Sequence, residues 1–167
     1  SSGSRGADRA ARYKEVYVDG CRNVLETFSD SRFIFVSSSS VYGQRDGSIV
    51  DENSITEPLS VTSKLLLEAE SITSDSGGSI ARLAGIYGPG RSYLLKRYIE
   101  GSAQIDENGS ESDGRWINQI HRDDAASALA HMVESSGMNG IYNVCDDMPM
   151  LQRACYEEFD RRFKNGI

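Results

Sequence analysis

The side chains that suggest chemistry in this sequence are two arginines and a histidine in its second half. Arg91 follows a glycine-rich turn, and Arg115 precedes a short apolar run. Either guanidinium could pair with a phosphate, whose geometry it matches, although a surface charge explains each of them as well. Because histidine as a residue type can act near neutral pH, His121 is a candidate acid or base. Its place in IHRDD, at a helix start, favours a structural role instead, with Asp123 or Asp124 capping the helix.

A run of serines, Ser37–Ser40, closes an apolar stretch. Serines at the end of a strand often do no more than satisfy loose backbone groups, so a purely structural role stays open for them. No group of His, Cys and carboxylate residues has the spacing of metal ligands. We therefore predict no metal site.

Short apolar runs, which predict buried strands, alternate here with amphipathic segments, which predict helices. Because strands that alternate with long helices form βαβ units, we predict an α/β fold with a doubly wound parallel sheet of the Rossmann-like type. The first predicted strand should be covered on both faces of the sheet, since its residues are continuously apolar and do not alternate with polar ones. Predicted strands lie at 33–36, 79–88, 115–121 and 140–147, and predicted helices at 11–28, 60–72, 93–100, 123–134 and 155–164, with a polar surface loop at 106–114.

Composition narrows the functional class. With 18 Lys+Arg against 25 Asp+Glu in 167 residues, the net charge is -7. That charge argues against nucleic-acid and anionic-membrane surfaces, which need clustered basic residues. Three widely spaced cysteines suggest neither a disulfide framework nor a zinc site, and no apolar run is long enough to span a bilayer. We expect a reducing compartment such as the cytoplasm.

Four segments together resemble the extended short-chain dehydrogenases/reductases, the group that includes NAD-dependent nucleotide-sugar epimerases and dehydratases. The resemblance is closest to an atypical, YeeZ-like branch, and it runs from about Tyr13 to Asp147. It lies in the segments YKEVYVDGCRNVLE (13–26), FIFVSSSSVYG (33–43), ARLAGIYGPGR (81–91), and INQIHRDDAASAL (117–129) with GIYNVCDD (140–147).

The resemblance implies a site at which hydride moves to or from a nicotinamide. Ser38 takes the place of the family's catalytic serine, and Lys64 that of the lysine in its Y-x-x-x-K motif. The tyrosine position is occupied by Ser60, whose hydroxyl is a poor acid or base near neutral pH. A further family residue, an asparagine, is replaced by Tyr17, which we expect to pack in the core.

The resemblance also implies which residues would bind the cofactor, NAD or NADP. These are Ser37, Ser38, Lys64, Ala84, Gly85 and Ile86. A plain turn built on Gly88, Pro89 and Gly90 would explain the glycine-rich segment equally well.

The sequence lacks the strand, G-x-x-G-x-x-G loop and helix with which family members begin and which bind the pyrophosphate. Gly3 and Gly6 do not supply that loop, and we expect them in a flexible terminus. Residues 1–167 are therefore expected to form one partial domain that lacks the N-terminal half of the fold. Such a chain should bind NAD(P) weakly or not at all, and it should self-associate through the exposed edge of its sheet.

Three functions remain open at this point. The chain is the later part of an NAD(P)-dependent oxidoreductase or epimerase-like enzyme that acts on a small, nucleotide-linked substrate. Alternatively it is a non-catalytic Rossmann binding module, which the missing tyrosine favours, or a truncated product without independent function.

Overall fold

The computed structural model describes residues 2–105 and 114–163. The helices are α1 (Ser2–Tyr13), α2 (Gly20–Thr27), α3 (Val61–Asp75), α4 (Tyr93–Ile99), α5 (Arg122–Glu134) and α6 (Gln152–Phe163), with a π-helical turn over Lys14–Asp19 that joins α1 to α2 and a 3-10 turn over Ser39–Val41. The strands are β1 (Ile34–Ser38), β2 (Ser79–Leu83), β3 (Gly85–Tyr87), β4 (Trp116–Ile117), β5 (Gln119–His121), β6 (Ile141–Val144) and β7 (Met150–Leu151).

The central sheet contains three parallel strands in the order β1-β2-β6. Two small strand pairs lie beyond it, parallel β3–β5 and antiparallel β4–β7. A parallel neighbour requires a crossover, which α3 supplies between β1 and β2. The predicted parallel sheet is confirmed.

Helices cover both faces of this sheet. Successive residues of a strand point to opposite faces, so β1 and β2 each contribute to two separate cores. One core packs strand residues Phe35 and Ile80 against Leu66 and Ala69 of α3. The other packs Ala81 and Leu83 of β2 against Ala125 and Met132 of α5. The fold is therefore doubly wound, as expected.

Two local expectations differ from the structure. Gly3 and Gly6, expected in a flexible terminus, lie within helix α1, because the Ala- and Arg-rich stretch after them favours helix. The first strand is covered only in part on its second face, since Ile34 packs against the core under α5 while Val36 is 42% exposed. Val133 of α5 is apolar but 65% exposed. The predicted loop at 106–114 lies, except for its last residue, outside the described residues.

Candidate functional site

The carboxyl ends of the three parallel strands lie at one edge of the sheet. Ser38 of β1 is in register with Leu83 of β2, which is in register with Val144 of β6. In open α/β sheets the crevice outside this edge is where ligands bind. The edge therefore brings together two of the segments in which the sequence suggested a site, Ser37–Ser38 and Ala84–Ile86.

Ser37 and Ser38 differ in what their hydroxyls contact. Ser37 is buried and donates a hydrogen bond of 2.6 Å to Oε1 of Glu70. Ser38 is half-buried, and its Oγ accepts a hydrogen bond of 3.2 Å from the backbone N–H of Ser40, which caps the 3-10 turn. The Ser38 oxygen thus has a partner, while its proton is not donated to any residue in the described ranges. Of the two serines, Ser38 is the one available to a ligand.

The hydroxyl of Ser37 belongs to a buried polar network that the sequence did not reveal. Glu70 and Arg82 form an ion pair with 2.7 Å between Oε2 and Nη2, and their side chains are only 5% and 4% exposed. Nη1 of Arg82 also donates to the Tyr42 hydroxyl at 2.9 Å, and that hydroxyl donates to Oδ1 of Asn143 at 2.8 Å. Burial disfavours the charged guanidinium, but the hydrogen bonds to Glu70 and Tyr42 outweigh it, so the pKa of Arg82 is raised.

The network is internal to the fold and fixes the segment that follows β1. It ties α3, β2 and β6 to Tyr42, which lies just after the serine run. A charged residue inside the otherwise apolar β2 was the one sequence signal that could have revealed it, because a buried charge requires a paired charge. The network thus positions the turn on which Ser38 lies.

Ser60, in the tyrosine's place, is the N-cap of α3. Its Oγ accepts a hydrogen bond of 3.0 Å from the backbone N–H of Ser63. Its own proton goes to Oγ of Ser63 at 2.8 Å, and Ser63 in turn donates to Ser40 at 3.1 Å. A chain of hydroxyls therefore joins the start of α3 to the turn that Ser38 caps.

Lys64 lies in the first turn of α3, and its backbone N–H donates to the Ser60 carbonyl at 3.1 Å. The side chain is exposed, and its ammonium makes no ion pair or hydrogen bond with the part of the chain described here. The structure thus brings Ser38, Ser60 and Lys64 into one local assembly. Within that assembly the lysine ammonium has no ion-pair or hydrogen-bond partner among the described residues.

The three residues expected against the nicotinamide differ in exposure. Ala84 is buried, and its N–H donates to the Val144 carbonyl at 2.9 Å. Ile86 is half-buried and packs against the core under α5. Gly85 is exposed, and a Cβ there would lie 3.3 Å from the Asn118 carbonyl oxygen. Of the three, Gly85 therefore offers an open backbone surface.

The glycine-rich turn after β3 forms one wall of an open groove. Gly88 and Arg91 exchange backbone hydrogen bonds of 2.8 and 2.9 Å, which close the turn. The turn and α4 border this open groove, whose volume is about 760 Å³, and it is lined by Gly88–Tyr93, Leu95, Lys96, Ile99 and Glu100. The Arg91 side chain is exposed and has no hydrogen bond or ion pair to the residues described. Arg115 is also exposed, and it lies just before β4.

The structure corrects the expected cap of α5. The N-cap is His121 itself, whose Nδ1 accepts a hydrogen bond from the Asp123 N–H at 3.3 Å, so neither Asp123 nor Asp124 is the cap. A helix cap needs an acceptor on the residue before the first turn, and imidazole supplies one here.

Tyr17 packs edge-on against Phe35, as expected, with ring centroids 6.3 Å apart.

Among residues 2–105 and 114–163, no group of three or more His, Cys, Asp and Glu side chains could coordinate a metal ion. No helix in the same ranges is both long enough and apolar enough to cross a bilayer.

The NAD-dependent epimerase/dehydratase family profile matches residues 1–145. The chain belongs to this family. It is also 31% identical, over 147 residues, to Protein YeeZ of Escherichia coli, an alignment that covers 81% of this chain and 50% of that protein. The expected YeeZ-like resemblance is thereby confirmed.

Solved structures of the family share the fold. A structure from Methylobacillus flagellatus, assigned to the NAD-dependent epimerases/dehydratases, has a TM-score of 0.78 and 29% identity, covering 92% of this chain and 56% of that one. The dTDP-glucose 4,6-dehydratase DesIV of Streptomyces venezuelae, with NAD bound, has a TM-score of 0.76 and 19% identity, covering 96% and 54%. The chain thus spans about half the length of these relatives.

Proposed function

We propose that this chain is the substrate-side part of an NAD(P)-dependent oxidoreductase or epimerase-like protein that acts on a small, nucleotide-linked substrate. The observation that carries the proposal is the assembly of Ser38, Ser60 and Lys64 at the carboxyl edge of the sheet. The crevice at that edge is where the fold type binds dinucleotides.

The residues at this edge fit the nicotinamide end of the cofactor. The Lys64 ammonium has no partner among the described residues and could bind ribose hydroxyls, and Gly85 has no side chain to keep a flat ring away. When bound, the cofactor supplies hydride exchange. Ser38 would donate its hydroxyl proton to a substrate oxygen, while Oγ remains fixed by the Ser40 N–H.

The groove beside α4 is the proposed place of the nucleotide-linked substrate. Arg91 lines it, and its guanidinium, which has no partner in the ranges that the structure describes, could pair with a phosphate. DesIV, whose substrate is a nucleotide sugar by its name, shares the fold. We therefore expect Arg91→Gln to weaken the binding of UDP-glucose while leaving the binding of glucose alone unchanged.

A non-catalytic binding module is the second candidate, and one observation favours it. Ser60 uses its oxygen to cap α3 and its proton to bond Ser63, so it is committed to the helix start and not to proton transfer. A protein with this arrangement would bind NAD(P) without turning over a substrate. A product without independent function remains the third alternative, and it predicts no ligand binding at all.

Cofactor binding tests the first candidate. Titration of the chain with NADH, followed by saturation-transfer NMR, should give a Kd no tighter than millimolar, a free energy of about -4 kcal/mol, because the family's pyrophosphate loop is not part of the sequence. Lys64→Met should weaken this binding. Lys14→Met changes an exposed lysine outside both this site and the groove beside α4, so it is the control and should not weaken binding. Micromolar affinity of the unaltered chain would contradict this account.

Turnover separates the enzyme from the binding module. With a nucleotide-binding half supplied in front of the chain, we expect cofactor binding but little hydride transfer to simple sugar nucleotides. Brisk turnover that Ser60→Ala abolishes, with cofactor affinity unchanged, would refute the binding module and assign the tyrosine's role to Ser60.

We also propose that the chain self-associates or pairs through the free edge of β1 and the uncovered apolar face beside it. Unpaired strand edges promote association, and Val36 is 42% exposed on that face. Val36→Lys should shift the chain toward monomer in sedimentation velocity. A dilute monomer before substitution would contradict the proposal.

The chain's cysteines are free, and Cys21 and Cys155 are buried, which fits the reducing compartment that we propose.

A further inference from the structure

Tyr93, the first residue of α4, is an aromatic residue in the wall of the groove beside that helix. It is 68% exposed, and Ile99, which lines the same groove, is 56% exposed. Single exposed apolar residues are ordinary, whereas apolar side chains gathered along one groove indicate a binding surface. The volume of about 760 Å³ lies within the range of small-molecule sites, about 300–1,000 Å³.

Arg97, one helical turn further along α4, holds the Tyr93 ring in place. Nη1 of Arg97 donates a hydrogen bond of 3.0 Å to the Tyr93 hydroxyl, and Cζ lies over the ring, 5.8 Å from its centroid. Arg97 is itself fixed, because Nε and Nη2 both donate to the Ser102 carbonyl, at 3.0 and 2.6 Å. Ordering two long side chains at a surface costs conformational entropy. A ligand that meets an already ordered ring does not have to supply that entropy.

The position of the guanidinium determines which face of the ring a ligand can use. Arg97 lies over one face of Tyr93, so a flat group can stack only on the opposite face. Because Tyr93 both lines the groove and is mostly exposed, that face is accessible to a molecule in the groove. Aromatic rings prefer offset stacking on such a face. The groove therefore contains a preformed surface for a planar group.

The charges of the groove favour an anion beside this ring. Among the described residues that line it, Arg91 and Lys96 are basic, and the carboxylate of Glu100 lies 3.7 Å from the Lys96 ammonium. Arg91 and Tyr93 are separated by one residue, so their Cα atoms lie at most about 7 Å apart. A guanidinium and an aromatic ring that are this close suit a phosphate and a base joined by one ribose.

We propose that Tyr93 stacks on the base of the nucleotide-linked ligand in this groove, while Arg91 pairs with its phosphate. This rests on the proposed function of the groove and deepens it by naming the residue that recognises the base. Stacking uses the π-face that every base presents, so it requires the ring of Tyr93 and not its hydroxyl. The contact selects nucleotides over sugar phosphates that lack a base.

Two probes isolate the contribution of the base. UMP and ribose 5-phosphate both carry a ribose and a phosphate, but UMP alone carries a base. NMR titration gives the Kd of each probe for the unaltered chain and for Tyr93→Leu. Tyr93→Leu should weaken UMP binding about fivefold or more, the effect of losing one base–aromatic stack. Its affinity for ribose 5-phosphate should be unchanged, whereas Arg91→Gln should weaken the binding of both probes.

Two further variants separate the ring from other effects of substitution. Tyr93→Phe keeps the ring and removes only the acceptor for Arg97, so UMP should bind within about twofold of its original affinity. Phe28→Leu removes a 58% exposed aromatic ring at the end of α2 and should leave the binding of both probes unchanged. In the unaltered chain and in Tyr93→Phe, the ring current should shift the base protons of bound UMP upfield, and Tyr93→Leu should abolish that shift.

The outcomes distinguish this inference from the function on which it rests. Weaker UMP binding in Tyr93→Leu, with ribose 5-phosphate unaffected, supports the stack. Unchanged UMP binding in Tyr93→Leu, together with weaker binding in Arg91→Gln, leaves the groove in place and overturns the stack. An equal loss for both probes in Tyr93→Leu, or the same loss of UMP binding in Tyr93→Phe, also overturns it. No binding of either probe by the unaltered chain overturns both the groove and the stack.

Discussion

The N-cap at position 60 gives a prediction whose size follows from the structure. Ser60→Ala removes the acceptor for the Ser63 N–H and the donor to the Ser63 hydroxyl, both in the first turn of α3. Loss of a serine cap costs about 1 kcal/mol, within a range of about 0.5–2 kcal/mol. The loss is not offset by another cap, because α3 has no acidic residue in its first turn. We therefore expect about 1–2 kcal/mol of destabilisation.

The assay is thermal unfolding followed by circular dichroism. In a chain of 167 residues, 1 kcal/mol of stability corresponds to about 2–4 °C in Tm, so Ser60→Ala should lower the Tm by a few degrees. Ser60→Asp should match or exceed the original Tm, because a carboxylate keeps the cap and interacts favourably with the helix dipole. Ser74→Ala changes an exposed hydroxyl near the other end of α3 and should leave the Tm within about 1 °C.

The same experiment bears on the tyrosine. Ser60→Tyr places a phenol one turn before Lys64 but removes the cap, so it should lower Tm as Ser60→Ala does. If Ser60→Ala and Ser60→Tyr both have the same Tm as the original chain, the hydroxyl does not stabilise the helix. The serine would then be free for chemistry, and the reasoning from the cap would be refuted.

Three further perturbations have expected outcomes. Glu70→Ala should cost about 3–5 kcal/mol in urea unfolding, because it leaves the buried Arg82 unpaired, while adding Arg82→Met should recover most of the loss; an equal loss in both variants would contradict this. Gly43→Ala should destabilise the chain measurably, since a Cβ there would lie 2.2 Å from the Glu57 carbonyl oxygen; an unchanged Tm would contradict the close approach. Glu158 has its pKa lowered to about 2 by hydrogen bonds from two arginines. The small contribution of this carboxylate to folding stability should be fully present above its usual pKa and lost as the pH falls toward 2. NMR should therefore show the carboxyl titrating near pH 2, and titration near pH 4 would contradict this.

The fold class could be predicted from the sequence because strand and helix patterns are local. Apolar runs and amphipathic periods placed β1, β2, β6 and the helices from α2 onward near their observed positions, whereas α1 was not predicted. Burial of single positions could not be predicted in the same way. Val36 and Val133 look like core residues, yet whether a side chain is covered depends on elements far along the chain.

The candidate site was predictable where a residue's role depends on its own strand or turn. Ser38 lies at the end of a strand, where the serine run placed it. The Glu70–Arg82 pair could not be predicted, because its partners come from different elements and meet only in the folded chain. The cap of α5 was also mispredicted, because aspartate caps helices far more often than histidine does.

The position of Ser60 links the structural and functional questions. A phenol at that place would need its hydroxyl at the edge of the sheet, whereas the serine hydroxyl is turned into the first turn of α3. The proton that would be transferred is already shared with Ser63 and, through it, with Ser40. Ser38 is therefore the hydroxyl at this edge whose oxygen has a partner while its proton is not donated to any residue in the described ranges.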